Sequence, residues 1–281
     1  MTKKTKATGK PWTSTSGNNP KWDQSPIDIS NHVTQEFPIL LMQNHLDSKC
    51  VKMTNTGKTV KIELCSQFTP LLKGGPLDGE YLFSDLQFRW GPSDALGSEH
   101  SIDSRCLRLA FIFTSDRYSI EAQLVHWNKK YGSPDKCYDK SDGMAIMSFL
   151  FQVVDDPCAG DSFRKISDGL KKIRAPGASI SLEPDSLNWL EQAMSSAGYY
   201  TYFGSLTTEP FTECVQWIIV PRPILIIDRQ SEAFRDLYDY DMQNITSNYR
   251  PLQRTRYTGR VYWAIQQKSQ SVVNCSGCGS R

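Results

Sequence analysis

The chain has 281 residues, of which 22% are charged and 39% are hydrophobic, with 32 basic and 30 acidic side chains. This length can bury a substantial core in one large domain or two small ones. A net charge of +2 is too small to indicate nucleic-acid binding driven by phosphate neutralisation. No run approaches the ~18 apolar residues of a transmembrane helix, and the basic, polar amino terminus lacks the apolar region of a secretory signal. We therefore expect no membrane span and no nucleic-acid partner.

The cysteines and histidines limit the possible chemistry. Eight cysteines are scattered without the spacing of a disulfide framework, so we expect reduced, mostly buried thiols. Cys275 and Cys278 form a CxxC pair, but no second pair follows to complete a zinc knuckle. Only four histidines are present, so any mechanism that needs several imidazoles must draw on these.

In chain order, residues 1–20 are predicted to form a disordered arm, because Lys, Thr, Ser, Gly, Asn and Pro dominate and leave little to bury. β-rich runs between turn signals predict strands at Val51–Met53, Val60–Leu64, Tyr81–Gly91, Ile120–Trp127, Ala145–Val154, Val215–Val220 and Ile224–Ile227. Apolar residues at helical spacing predict helices at Ser162–Ile173, Asp185–Ser195 and Ser231–Tyr238. Many strands with few helices indicate one large sheet, mixed or mainly antiparallel.

Two of the predicted strands alternate with a period of two and carry one polar face each. The residues on these two faces are Asp85, Gln87 and Arg89, and Glu121, Gln123 and Val125. The opposite faces are mainly apolar, with Leu86, Phe88 and Trp90 on the first strand. A polar strand face is either solvated or part of a polar cavity cut into the sheet, and the alternation alone leaves both open.

Six motifs, in order between residues 22 and 265, resemble signatures of the α-carbonic anhydrases. They are Gln24–Ile29 (QSPIDI), Lys73–Leu77 (KGGPL), Gly97–His100 (GSEH), Leu124–Asn128 (LVHWN), Gly204–Thr208 (GSLTT) and Asn248–Pro251 (NYRP). The resemblance implies a mainly β, single-domain fold over residues 21–268, with peripheral helices and a flexible tail over 269–281. Its central, twisted, largely antiparallel sheet has ten strands, and its active site is a cone that reaches the middle of that sheet.

The resemblance also locates the positions of the three zinc-ligand histidines of the family. Gln87 and Arg89 stand where the family has two ligands on one strand, and Gln123 stands where it has the third. Glutamine is a poor zinc ligand, and arginine remains protonated in proteins and repels a cation. His100 and His126 align with structural histidines of the family rather than with ligands. We therefore expect no zinc.

Other positions of the family's site are retained or altered. Thr207 aligns with the threonine that contacts the zinc-bound hydroxide, and Glu99 aligns with the residue that orients that threonine. Lys58 replaces the proton-shuttle histidine, and a lysine is poorly matched to proton transfer at neutral pH. These residues are predicted to be vestigial. The resemblance implies a cavity lined by Asp85, Glu121, Val125, Ile146, Leu206, Thr208 and Trp217.

A buried arginine must be paired, so Arg89 raises a specific question about its partner. We predict an internal carboxylate, either Asp85 on the same strand face or Glu121. The alternative is a small bound anion such as bicarbonate, held by the guanidinium with nearby hydroxyl and amide donors.

Residues 104–115 (SRCLRLAFIFTS) form an apolar insertion relative to the family. Three interpretations remain: an element that contacts a partner, a loop folded back on the domain, or an in-frame intron retained by a gene-model error.

The pattern is most similar to the carbonic anhydrase-related proteins, the inactive branch of the family. It predicts a pseudoenzyme without CO2 hydratase activity that acts as a protein-binding module, with an unidentified partner. The alternative is an enzyme or small-anion binder that uses the vacant cone without the usual zinc. No cysteine precedes Cys50 to form the disulfide of secreted family members. We therefore expect a cytoplasmic protein.

Overall fold

The computed structural model describes residues 23–103, 117–195, 198–254 and 261–266. The predicted arm over 1–20, the insertion at 104–115 and the tail at 269–281 lie outside the described residues and stay predictions. None of the helices in the described ranges is both long enough and apolar enough to cross a bilayer.

The described ranges contain fourteen strands and three α-helices. The strands are β1 (Asp28–Ile29), β2 (Val33–Phe37), β3 (Leu41–Gln43), β4 (Ser48–Asn55), β5 (Val60–Ser66), β6 (Leu71–Lys73), β7 (Glu80–Trp90), β8 (Ser101–Ile102), β9 (Ile120–Asn128), β10 (Met144–Val153), β11 (Ser179–Leu182), β12 (Gly198–Gly204), β13 (Val215–Ile226) and β14 (Tyr262–Gln266). The helices are α1 (Arg164–Leu170), α2 (Trp189–Met194) and α3 (Asp228–Arg235).

Twelve of the strands form one sheet, and ten of these follow each other in the order β11-β4-β5-β7-β9-β10-β13-β12-β14-β2. β3 and β6 pair with each other beside this path, and β6 also pairs with β7. Within the large sheet, β10–β13 and β14–β2 are parallel, and the other described pairs are antiparallel. The mainly β, largely antiparallel fold predicted from the sequence is confirmed, although the sheet has twelve strands instead of the predicted ten.

The predicted strands all form, although two of them merge. Val215–Val220 and Ile224–Ile227 are parts of the single strand β13, which continues through Pro221 and Pro223. Proline cannot donate to a ladder, and the register with β10 shifts at this point, between Phe149 and Phe151. The strands missed by sequence reasoning are mostly short or lie towards the sheet edges, where alternation has too few residues to be recognised. α1 and α2 are shorter than predicted and follow 3₁₀ turns, whereas α3 has the predicted length but begins three residues earlier, at Asp228.

The two faces of the central strands bury different cores. Leu86, Phe88 and Trp90 are fully buried on the apolar face, as the alternation predicted. On that face, the rings of Phe88 and Phe234 of α3 lie 5.1 Å apart. The helices therefore cover the apolar face, and the polar face is left to form the candidate site.

The expectation that the cysteines are mostly buried is wrong for part of the chain. Of the five described free thiols, Cys137 and Cys214 are buried, as predicted for Cys214, and Cys50 is half-buried. Cys65 and Cys158 are exposed. Cys65 lies near the end of β5, where its strand position points away from the apolar core.

Candidate functional site

The polar residues predicted from the alternation meet at the centre of the sheet. Gln87 of β7 is directly opposite Gln123 of β9, and Arg89 is opposite Glu121. Directly opposed residues point to the same face of a sheet, so these four side chains form one polar patch. Arg89, Glu121 and Gln123 are 4%, 0% and 2% exposed. The patch is therefore a buried floor rather than a solvated strand face, which resolves the alternative left open by the sequence.

Arg89 has one charged partner in this floor. Its Nε lies 3.5 Å from Oε1 of Glu99, an ion pair without a hydrogen bond at Nε. Its other nitrogens donate to neutral acceptors, with Nη2 donating to Oε1 of Gln87 at 3.1 Å. Nη1 donates to Oγ1 of Thr59 at 3.4 Å and to the carbonyl of Phe88 at 3.3 Å.

The prediction that Arg89 has an internal partner is confirmed, but both predicted partners are wrong. Asp85 accepts a hydrogen bond from Nε2 of Gln87 at 2.9 Å and lies 3.7 Å from Nζ of Lys61. Gln87 is two residues along the strand, or about 7 Å, from Asp85 on one side and from Arg89 on the other. Its amide therefore lies between the carboxylate and the guanidinium. Glu121 is committed to other donors.

Glu99 connects the arginine to the rest of the floor. Its Oε1 accepts from the backbone N–H of Arg250 at 3.0 Å, and its Oε2 accepts from Nε2 of Gln123 at 2.7 Å. Thr207 is 8% exposed. Among the hydrogen bonds of the described residues, none joins Thr207 to Glu99. The orienting contact that the resemblance implied is therefore not formed here, and Glu99 faces Arg89 and Gln123 instead.

Glu121 is held by donors on the loop that carries Glu99. Its Oε2 accepts from the backbone N–H groups of Glu99 and His100 at 3.0 and 2.8 Å. Its Oε1 lies 2.9 Å from Nδ1 of His100 and accepts from Gln123 at 3.0 Å. Burial raises the pKa of Glu121, but the charge and hydrogen bonds of His100 outweigh it and bring the pKa below its usual range. The carboxylate is therefore ionised and fully satisfied.

The apolar wall of the site is formed by one row of residues across three strands. Val125 of β9 is opposite Ile146 of β10, which is opposite Trp217 of β13. Nε1 of Trp217 donates to the carbonyl of Ser205 at 3.0 Å and fixes the loop that follows β12. Leu206 packs against the same cluster. The structure thus brings these predicted lining residues together, whereas Thr208 is exposed.

Lys58 is on the turn between β4 and β5, directly before Thr59, whose hydroxyl accepts from Arg89. The side chain of Lys58 is exposed, and its backbone carbonyl accepts from Nδ2 of Asn248 at 3.1 Å.

Sequence reasoning missed two buried polar features, one in the apolar core and one on the face of the floor. The imidazoles of His45 and His126 are buried, with their Nε2 atoms 2.9 Å apart. Ser148 of β10 is opposite Gln123, and its buried hydroxyl has no hydrogen-bond partner among the described residues. Neither feature has a local signal, because each depends on the pairing of distant segments.

Within residues 23–103, 117–195, 198–254 and 261–266, no three His, Cys, Asp or Glu side chains are grouped so that they could hold a metal ion.

Comparison with known proteins assigns the chain to a family. The family profile described as "Eukaryotic-type carbonic anhydrase" matches residues 7–262, so the chain belongs to that family. The chain is 34% identical over 250 residues to "Carbonic anhydrase 1" of Mus musculus, covering 84% of this chain and 86% of that relative. It is 31% identical over 252 residues to "Carbonic anhydrase 7" of Mus musculus, covering 87% and 89%. It is also 31% identical over 246 residues to "Carbonic anhydrase 7" of Homo sapiens, covering 85% and 86%.

Proposed function

We propose that this chain is a non-catalytic member of the carbonic anhydrase family that binds no zinc at the family's position and acts by binding another protein. The observation that carries the proposal is the occupation of the three ligand positions by Gln87, Arg89 and Gln123, joined in one buried hydrogen-bonded network with Glu99. The ligand positions themselves come from the sequence resemblance.

The donor chemistry of these residues does not fit a zinc ion. Zinc in proteins is bound by histidine, cysteine and carboxylate ligands, and an arginine has no lone pair to offer. Gln87 uses both ends of its amide, accepting from Arg89 and donating to Asp85. Nε2 of Gln123 donates to both Glu99 and Glu121.

Charge also opposes a metal at this place. The Arg89 guanidinium brings a fixed positive charge into the floor, and like charges at a few ångströms repel strongly in a buried environment. Glu99, the one carboxylate among the described residues in contact with that guanidinium, already neutralises it. A dication here would be added next to a guanidinium that is already paired.

A protein-binding role is supported by the similarity to the inactive branch of the family, in which the fold is kept and the ligands are lost. A cytoplasmic location belongs to the same proposal, and the free state of the five described cysteines supports it.

The first test is metal content and CO2 hydration of the purified full chain, with mouse carbonic anhydrase 1 as positive control. We expect substoichiometric zinc and hydration at the uncatalysed rate. Stoichiometric zinc, or hydration above the uncatalysed rate, would contradict the proposal.

The second test is partner capture from cytosolic extract followed by binding measurements with the purified candidate. We expect at least one saturable interaction that a Thr207→Val variant retains, because a surface interaction does not need the floor. If none of the captured candidates binds the chain when both proteins are purified, a protein-binding role is contradicted.

A further inference from the structure

Two cysteines lie side by side in the sheet, away from the floor of the site. Cys50 of β4 is directly opposite Cys65 of β5 in an antiparallel ladder. The register shifts just before this pair, between Ser48 and Cys50, so Lys49 is the extra residue of a bulge. Both cysteines are free thiols. This juxtaposition is produced by the hairpin and is not visible as a CxxC motif in the sequence.

The spacing of opposed residues in such a ladder suits a disulfide. Directly opposed residues in an antiparallel pair have Cα atoms about 4.5 to 5.5 Å apart, and disulfides span Cα separations of about 4.4 to 6.8 Å. Their Cβ atoms, about 4.5 to 5.5 Å apart, need to approach only slightly to reach the usual disulfide range. The bulge at Lys49 gives the local backbone freedom for that small movement.

The two thiols are also accessible from one face of the sheet. Cys65 is exposed and Cys50 is half-buried, whereas Cys137 and Cys214 are buried. Along β5, Val60 and Ile62 are fully buried, and Cys65 falls on the alternate positions with Lys61 and Glu63. Lys61 is opposite Gln87, so the cysteine pair lies on the same sheet face as the candidate site.

Close contact between the two sulfurs affects the acidity of Cys65. Its pKa is raised, first by a hydrogen bond with the Cys50 thiol and then by the charge of a Cys50 thiolate. The exposed Cys158 has no cysteine opposite it among the described strands.

We propose that Cys50 and Cys65 form a redox-active dithiol that a low-molecular-weight disulfide, such as oxidised glutathione, converts to an intramolecular disulfide. The Cys65 thiolate attacks one sulfur of the oxidant, forming a mixed disulfide and releasing one reduced thiol. The Cys50 thiolate then attacks the Cys65 sulfur, forming the protein disulfide and releasing the second reduced thiol. Two protein protons are lost, and the two electrons reduce the oxidant, so atoms and electrons balance.

The consequence is a covalent clamp between β4 and β5. The loop closed by the bond contains about 15 residues, for which loop-closure entropy corresponds to about 3 kcal/mol of stabilisation. By linkage, the equilibrium constant for forming this disulfide is about 100-fold larger in the folded chain than in the unfolded chain, since 1.4 kcal/mol is a factor of ten.

The test equilibrates the full chain in glutathione redox buffers, with and without urea, at a low protein concentration. Free thiols are then blocked by alkylation, and the chain is digested without reduction and mapped by mass spectrometry. We expect a Cys50–Cys65 linked peptide lacking two hydrogens, in a monomeric protein. We also expect half of the folded chain to be oxidised in a buffer that is about 100-fold more reducing than the buffer that half-oxidises the unfolded chain.

The matched controls are single serine variants. Cys50→Ser is expected to stop the reaction at a glutathione adduct on Cys65, and Cys158→Ser is expected to leave the linked peptide unchanged. A stable glutathione adduct on Cys65 in the wild-type chain overturns the proposal, as does a link from Cys65 to another cysteine or equal midpoints in the folded and unfolded chains. If Cys50→Ser does not fold, Cys50→Ala provides the same comparison, and Cys65→Ser, which lacks the attacking thiol, is expected to give no linked peptide.

Discussion

Arg89 and Glu99 form an ion pair in the floor of the site, with 3.5 Å between Nε and Oε1. Both side chains are almost fully buried, at 5% and 1% exposure. Arg89 comes from β7, and Glu99 comes from the loop that precedes β8. The pair therefore fixes that loop against the sheet at the position where the resemblance places the metal of the active relatives.

The two partners are supported unequally, which gives a first prediction. Without Glu99, Arg89 keeps only neutral acceptors, whereas without Arg89 the Glu99 carboxylate keeps the N–H of Arg250 and the amide of Gln123. We expect Glu99→Gln to lower the free energy of unfolding by about 3 kcal/mol or more, because it leaves a buried charge unpaired.

Arg89→Met is expected to cost less than Glu99→Gln. Urea denaturation of the two single variants and the double variant measures both costs and the coupling between the residues. An equal or larger loss in Arg89→Met contradicts the assigned roles.

The buried histidine pair gives a prediction on pH. Burial lowers the pKa of His45 from 6.5 to about 4 and, together with the charge of His45, brings the pKa of His126 well below its usual value. The unfolded chain binds a proton at His45 below about pH 6.5, and the folded chain binds it only below about pH 4. Stability is therefore retained above pH 6.5 and lost as the pH falls from 6.5 towards 4.

For His45 alone, we expect about 2 kcal/mol of that loss between pH 7 and pH 5. In His45→Gln, denaturation at the two pH values should show that the free energy of unfolding decreases by about 2 kcal/mol less than in the wild type. His32→Gln is the matched control, because His32 is exposed. A wild-type pH dependence retained in His45→Gln contradicts the prediction.

Restoring three histidines is expected to restore metal binding. Gln87 and Gln123 are directly opposite across β7 and β9, and Arg89 lies two residues along the same face. The triple variant Gln87→His, Arg89→His and Gln123→His should bind stoichiometric zinc and recover partial CO2 hydration, measured by metal analysis and stopped-flow kinetics. Recovery is expected to be partial, because Lys58 replaces the shuttle histidine and Thr207 lacks its contact with Glu99.

Single histidine variants serve as the control for that experiment. They should bind little zinc while Arg89 remains or while the other ligands are missing. A folded triple variant that binds no zinc would show that the local geometry no longer supports a tetrahedral site.

The fourth prediction concerns small anions. Because Glu99 already neutralises Arg89, bicarbonate, sulfate or phosphate at fixed ionic strength should not raise the melting temperature of the wild type more than chloride does. An anion-specific rise that is lost in Arg89→Gln would contradict this and support the anion-binding alternative.

The sequence alone was sufficient for the sheet-based fold and for the two faces of its central strands. Alternation is a local property with a period of two, so Leu86 and Arg89 could be assigned to opposite faces without knowing any neighbour. The ordered motifs also sufficed to identify the family, because short sequence signatures need no coordinates.

Only the tertiary structure decided which residues meet. Glu99 is ten positions from Arg89 and on a different segment, whereas the predicted Asp85 is nearer in sequence but is separated from Arg89 by the Gln87 amide. The contact between His45 and His126 and the pairing of Cys50 with Cys65 likewise depend on how separate strands are aligned. Strand register and loop position are set by the packing of the whole sheet, and a one-residue shift would turn each of these side chains to the opposite face.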